Sequence, residues 1–144
     1  SVTRIGNTTF QRCISLTKIT IPSSVTTIGI RAFSECESVT EFTIPSSVTT
    51  IGNIAFYRCS NLTTVTFEAG NNVMTEIRQS AFEGCTNLTS INFPDSITTF
   101  EEAAIKSCTN LVNLSLSGKT LPSSSHLSII VLNLNILKIS NHLS

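Results

Sequence analysis

Five cysteines are the residues of this chain best placed to do chemistry, and their spacing narrows what that chemistry is. Cys13, Cys36, Cys59, Cys85 and Cys108 follow one another at intervals of 23, 23, 26 and 23 residues. If successive repeats stack as neighbouring strands, equivalent Cα atoms lie about 5 Å apart, inside the window of about 4.4 to 6.8 Å that a disulfide needs. Distance therefore leaves bridges open. The odd count, and the equivalent place that each thiol holds beside an apolar residue, favour a reduced column of small buried hydrophobes. No histidine or carboxylate shares the cysteine register and there is no C-x-x-C, so the usual metal-ligand spacings are missing.

The remaining reactive side chains form no constellation. His126 and His142 are the two histidines and neither accompanies a repeated Ser or Asp. Glu101 and Glu102 are adjacent, and consecutive residues do not share one helical face. Catalytic residues, cofactor and metal are accordingly not expected, and the chain reads as no enzyme. Four N-glycosylation sequons occur, at Asn7-Thr-Thr9, Asn61-Leu-Thr63, Asn87-Leu-Thr89 and Asn113-Leu-Ser115. Those at Asn61 and Asn87 also follow from a turn Asn, a core Leu and a strand Thr recurring with the repeat, so both readings stand.

A thiol column needs elements that repeat in step with it. A period of 23 residues means that each unit is one supersecondary element that buries its apolar face only by stacking on copies of itself. Each unit opens with L-x-x-I-x-I: Leu16 to Ile21, Val39 to Ile44, Leu62 to Phe67, Leu88 to Phe93 and Leu111 to Leu116. Alternation and β-branching predict strands. Pro22, Pro45 and Pro94 follow at once, and a residue without an amide donor ends the ladder in a Ser-rich turn. Val25-Thr-Thr-Ile28 and Val48-Thr-Thr-Ile51 then read as brief extended or turning segments. In Ala32-Phe33-x-x-Cys36, Ala55-Phe56-x-x-Cys59 and Ala81-Phe82-x-x-Cys85, aromatic and thiol stand three apart, which predicts one face of a single helical turn. Asn61, Asn87 and Asn110 precede the next strand, where a residue tolerant of left-handed backbone is expected.

The fold class that follows is α/β: a solenoid of about six 23-residue coils, short parallel strands on one face, short helical turns on the other, joined by right-handed crossovers. Residues 1–144 make one domain. Nine acids balance nine bases and only 12% of residues are charged. With no basic stripe to neutralise phosphates, nucleic acid is not an expected partner. The longest apolar run, Ile129 to Leu132, is far short of the roughly 20 residues of a membrane span. The N-terminus has no charged flank and apolar region of a signal peptide. It matches Ser24 to Gly29 instead, so the chain opens in mid-repeat, as a fragment of a longer array would.

The consensus L-x-x-I-x-I-P-S-S-V-T-x-I-G-x-x-A-F-x-x-C resembles the leucine-rich repeat of the BspA-like surface antigen family over residues 2 to 116. That resemblance implies a surface-exposed or secreted protein engaged in adhesion to host matrix or to cells. The unit from Leu62 departs from it by three extra residues in Phe67 to Val73, which should emerge on a rim. Residues 117–144 are expected to form a degenerate C-terminal coil or cap, with a last strand near 134–139 in Leu134-Asn-Ile-Leu137-Lys-Ile139.

Function then falls to the outward strand positions, Lys18 and Thr20, Glu41 and Thr43, Thr64 and Thr66, Ser90 and Asn92, Asn113 and Ser115. Ten side chains at fixed spacing on a rigid stack make a partner-binding surface for a protein or glycan. The first column varies while the core columns are monotonous. The alternatives are a passive structural spacer that holds other domains apart, or an intracellular protein-protein interaction repeat. The threonine column would suit an ordered lattice such as ice, but Asn92 and Ser115 break it.

Overall fold

The alternating segments form strands in the middle of the array. In the computed structural model, which describes residues 1–71, 73–112 and 114, strands β1 (Arg4–Ile5), β2 (Thr27–Ile28), β3 (Glu41–Ile44), β4 (Thr50–Ile51), β5 (Thr64–Phe67), β6 (Glu76–Ile77), β7 (Ser90–Ile91) and β8 (Thr99–Phe100) follow in chain order. The main sheet runs β3-β5-β7, all parallel. Its register sets Glu41 beside Thr64 and Thr64 beside Ser90. The extra residues after Phe67 thus lengthen the loop without turning any side chain to the other face, because register fixes which side is buried.

The V-T-T-I segments are extended, and they build a second parallel sheet, β1-β2-β4, with β6-β8 as a separate pair. The break between β4 and β6 falls where the insertion lies. Gly29 and Gly52 belong to the unbroken part and allow the coils to touch. A Cβ on Gly52 would meet the backbone of Ile30 at 2.6 Å and of Gly29 at 2.7 Å. In the two coils beyond the insertion, the glycine position is held by Arg78 and Glu101.

The prolines open tight turns as expected. The amides of Val25, Val48 and Ile97 donate back to Pro22, Pro45 and Pro94, each at 3.0 Å. The segment 16–21, by contrast, forms no strand, although its sequence matches the others. Its apolar residues Leu16 and Ile19, with Phe10 and Cys13, are only partly buried, since they pack against one neighbouring coil rather than two. The expected strand at 134–139, the coil at 117–144, and positions 113, 115 and 116 of the unit from Leu111 lie outside the described residues. Those residues make about four turns.

The helical turn is corrected. Among the described residues there is no helix, and the A-F-x-x-C segments are chains of tight turns. Alternate amides divide their duties. Ala32, Ser34 and Cys36 donate three residues back, to Gly29, Arg31 and Phe33, whereas Arg31, Phe33 and Glu35 donate to Asn53, Ala55 and Tyr57 of the next coil. An α-helix spends every amide on its own chain. Here half of them tie one coil to another. This geometry needs left-handed backbone before the Ala position and before the Cys. The first column holds Thr8, Arg31, Ile54, Ser80 and Ala103, the second Arg12, Glu35, Arg58, Gly84 and Ser107. Non-glycine residues resist that conformation by about 1–2 kcal/mol each. Inter-coil bonds such as Arg58 N–H to Glu83 O at 2.8 Å offset the strain. Asn61, Asn87 and Asn110 do not have positive φ, contrary to expectation. Their side chains link coils instead: Asn61 Nδ2 donates to Glu37 O at 2.7 Å and Asn87 Nδ2 to Asn61 Oδ1 at 3.3 Å.

Candidate functional site

The outward positions of the main sheet form the candidate site, and burial alternation is what turns them out. In β3, Phe42 and Ile44 are buried while Glu41 and Thr43 are exposed. In β5, Val65 is buried, Thr66 exposed and Thr64 half-exposed. Ser90 continues the first column in β7, and Asn92 lies just past its end, exposed. Ladder register holds Glu41, Thr64 and Ser90 in one row and Thr43 beside Thr66. Strands in such a ladder are about 4.8 Å apart, so the row offers groups at a fixed short pitch. Lys18 and Thr20 are exposed too, but on the unladdered segment 16–21. Asn113 and Ser115 lie outside the described residues.

That unladdered segment opens a cleft. Thr17 to Ile21 form one wall and Thr40, Glu41, Thr43, Pro45 and Glu68 line the rest of a volume of about 340 Å³. Lys18, Thr20, Glu41 and Thr43 are thus brought together by the fold, whereas Thr64, Thr66, Ser90 and Asn92 extend the face beyond it. Sequence reasoning missed Glu68. Its amide donates to Ile44 O at 2.9 Å, which draws the start of the insertion alongside β3. Gly70 then lies against Ser46, whose Oγ would be 2.5 Å from a Cβ placed there. The three-residue surplus was the available signal, since insertions in a stack come out on a rim.

The cysteines face the opposite way. All five are free, and Cys36, Cys59, Cys85 and Cys108 are buried. Each Sγ donates to the phenylalanine carbonyl of the coil before: Cys36 to Phe10 at 3.0 Å, Cys59 to Phe33 at 3.1 Å, Cys85 to Phe56 at 3.1 Å and Cys108 to Phe82 at 3.2 Å. For Cys108 the position occupied by phenylalanine in the preceding coils is Ile105. Burial first, and neighbouring thiols second, push Cys59 up to about 12. Burial likewise raises Cys36 to about 11 and Cys108 to about 12, and lifts Cys85 well above its ordinary range.

A raised thiol pKa stabilises the fold fully below the unfolded value of 9.0 and ceases to do so as pH climbs through the folded value near 11 to 12. Denaturant midpoints should therefore hold between pH 7 and 8.5 and fall between pH 9 and 11. Under native conditions at pH 8, a thiol reagent should spare the four buried cysteines and label all five after unfolding. Rapid native labelling of four or more thiols would contradict this burial.

Other suspected groups take structural places. Glu101 Oε2 accepts the Gln79 amide at 2.8 Å, and Asn7 Oδ1 accepts that of Ile30 at 3.0 Å. His126 and His142 lie outside the described residues. Among the described residues no group of three or more His, Cys, Asp or Glu is placed to hold a metal ion, and no helix is long and apolar enough to cross a membrane.

The family model for the BspA-type leucine-rich repeat region, of six copies, matches residues 3–127 and, in a second alignment, 71–143. A leucine-rich repeat protein from Bacteroides ovatus ATCC 8483 is similar in structure with TM-score 0.76 and 32% identity, covering 83% of this chain and 31% of that one. The T. pallidum leucine-rich repeat protein aligns with TM-score 0.67 and 32% identity, over 75% of this chain and 49% of its own length. A leucine-rich repeat protein from Eubacterium ventriosum ATCC 27560, at 22% identity and TM-score 0.51 over 84% of this chain and 33% of that one, shares the fold. The chain spans about a third to a half of the first two proteins. It matches no curated protein significantly.

Proposed function

Since this chain belongs to the BspA-type leucine-rich repeat family, we propose that it is a non-enzymatic interaction module of a surface or secreted protein, binding a protein or glycan through its exposed strand face. One observation carries the reading. Lys18, Thr20, Glu41 and Thr43, four residues of the outward strand positions, converge on a single cleft of about 340 Å³ together with Glu68. A cleft holding an ammonium group, carboxylates and hydroxyls supplies donors and acceptors to an extended partner laid along the strands. The β3–β5 ladder, with Phe42 packed edge-on against Phe33 and Phe56 behind it, holds Glu41 and Thr43 in place, and preorganisation lowers the ordering cost of binding.

The reading distinguishes itself from a spacer by a direct experiment. The immobilised chain is exposed to a panel of extracellular matrix proteins, whole cells and cell-surface glycans. Saturable binding to at least one member is expected; silence across the whole panel would favour a spacer and overturn the assignment.

A further inference from the structure

A second cleft, of about 380 Å³, lies along the turn segments and shares no lining residue with the strand face. Its walls are Tyr57, Arg58, Glu37 and Glu83, with Ser60, Thr86, Ser107 and Gly84 completing it. The repeat itself explains why space opens here. The left-handed position before each cysteine carries Arg12, Glu35 and Arg58 in successive coils, then Gly84, then Ser107. A row of long side chains gives way to none and then to a short one. Gly84 has φ +76°, and a Cβ there would sit 3.0 Å from Arg58 Cγ, so the missing side chain is what leaves the ground beside Arg58 uncovered. Against that opening stands the chain's one tyrosine. The guanidinium carbon of Arg58 lies 5.2 Å from the Tyr57 ring centroid, which holds a planar donor fork against an aromatic wall. Glu83 Oε1 meets Lys106 Nζ at 3.8 Å.

We propose that this Tyr57–Gly84 cleft is a separate binding site for a single neutral sugar unit. The chemistry of the lining selects that class. An anion would face Glu37 and Glu83, and a cation would face Arg58 with Lys106 close behind. An apolar ligand would strip water from these charges and return no hydrogen bonds. A sugar ring does neither. Its hydroxyls donate to carboxylates and accept from the guanidinium, and charge-assisted bonds of this kind are the stronger ones. Its C–H groups pack on the part of Tyr57 that lines the cleft beside Arg58, a side chain that combines an apolar body with a polar tip. The volume falls at the small end of the range of about 300–1,000 Å³ for ligand pockets, fitting one ring rather than a chain. The assignment goes beyond the strand-face reading and is independent of it.

The test titrates the whole chain, isotope-labelled, with glucose, galactose, mannose and N-acetylglucosamine at millimolar concentrations and follows amide chemical shifts. At least one sugar should give saturable shifts centred on Tyr57, Arg58 and Gly84. Tyr57→Ala should weaken that binding at least tenfold. Glu37→Gln, at an exposed position, should weaken it at least threefold with an unchanged denaturation midpoint. Gly84→Arg, restoring the side chain that two earlier coils carry, should abolish it. Substituting Lys18, Glu41 and Thr64 should leave it intact. The proposal is overturned if no sugar gives saturable shifts, or if shifts persist at full strength in both Tyr57→Ala and Glu37→Gln.

Discussion

Replacing Phe56 with alanine should destabilise the fold by about 3–5 kcal/mol, the range for truncating a buried aromatic, and by clearly more than the same change at Phe10. Phe56 is 1% exposed in the middle of a column of stacked rings. Its centroid lies 5.4 Å from that of Phe33 and 5.1 Å from that of Phe82, with interplanar angles of 10° and 3°. Phe42 from the main sheet closes edge-on at 4.7 Å. Truncation therefore removes contacts with both neighbouring coils and leaves a gap among the rings of Phe33, Phe42 and Phe82, in coils whose spacing inter-coil hydrogen bonds fix. Phe10 stacks on Phe33 alone, at 5.2 Å, and is half-buried. In an array where each repeat is stabilised by its neighbours, a ring with one neighbour must matter less than a ring with two. Urea unfolding followed by circular dichroism compares the two variants, and equal losses would contradict the nearest-neighbour account.

Much of this architecture was legible in the residues, for a physical reason. Side-chain alternation sets which face of a strand is buried, so Phe42, Ile44, Val65 and Ile91 were readable as core and Glu41, Thr43, Thr66 and Asn92 as surface. The thiol column was readable as buried because every cysteine shared one register with a core position. The turn segments were not legible as such. Aromatic and thiol three apart suits a helical turn, and the choice between helix and tight turns lies with amides that donate to another coil, as Phe33 does to Ala55 at 2.9 Å. That information sits 22 residues away. Ile54 and Arg58 at φ 61° and 53° also carry no local sign of left-handed backbone, whereas Asn61, whose type suggests it, spends its amide on Glu37 O. The candidate cleft was half legible. Lys18, Thr20, Glu41 and Thr43 follow from alternation. Glu68 arrives there only because the insertion folds back beside β3, and the unladdered course of 16–21 contradicts its own strand pattern.

The larger functional effect should come from the strand face. Lys18, Glu41 and Thr64 occupy its first column, and the first two line the cleft. Alanine at these exposed or half-exposed positions removes the ammonium group, a carboxylate and a hydroxyl while leaving the apolar columns behind them untouched. Surface changes of this kind usually alter stability by no more than about 0.5 kcal/mol each. A partner that uses the column loses several polar contacts at once, and a tenfold loss of affinity corresponds to about 1.4 kcal/mol.

The measurement that bears most directly on this account is therefore the affinity of the Lys18→Ala/Glu41→Ala/Thr64→Ala chain for a protein partner that the unmodified chain binds, with Tyr57→Ala as the control on the other cleft. Binding through the strand face predicts at least a tenfold loss in the triple variant, near-unchanged affinity in Tyr57→Ala, and a retained denaturation midpoint. Full affinity in a folded triple variant would contradict it.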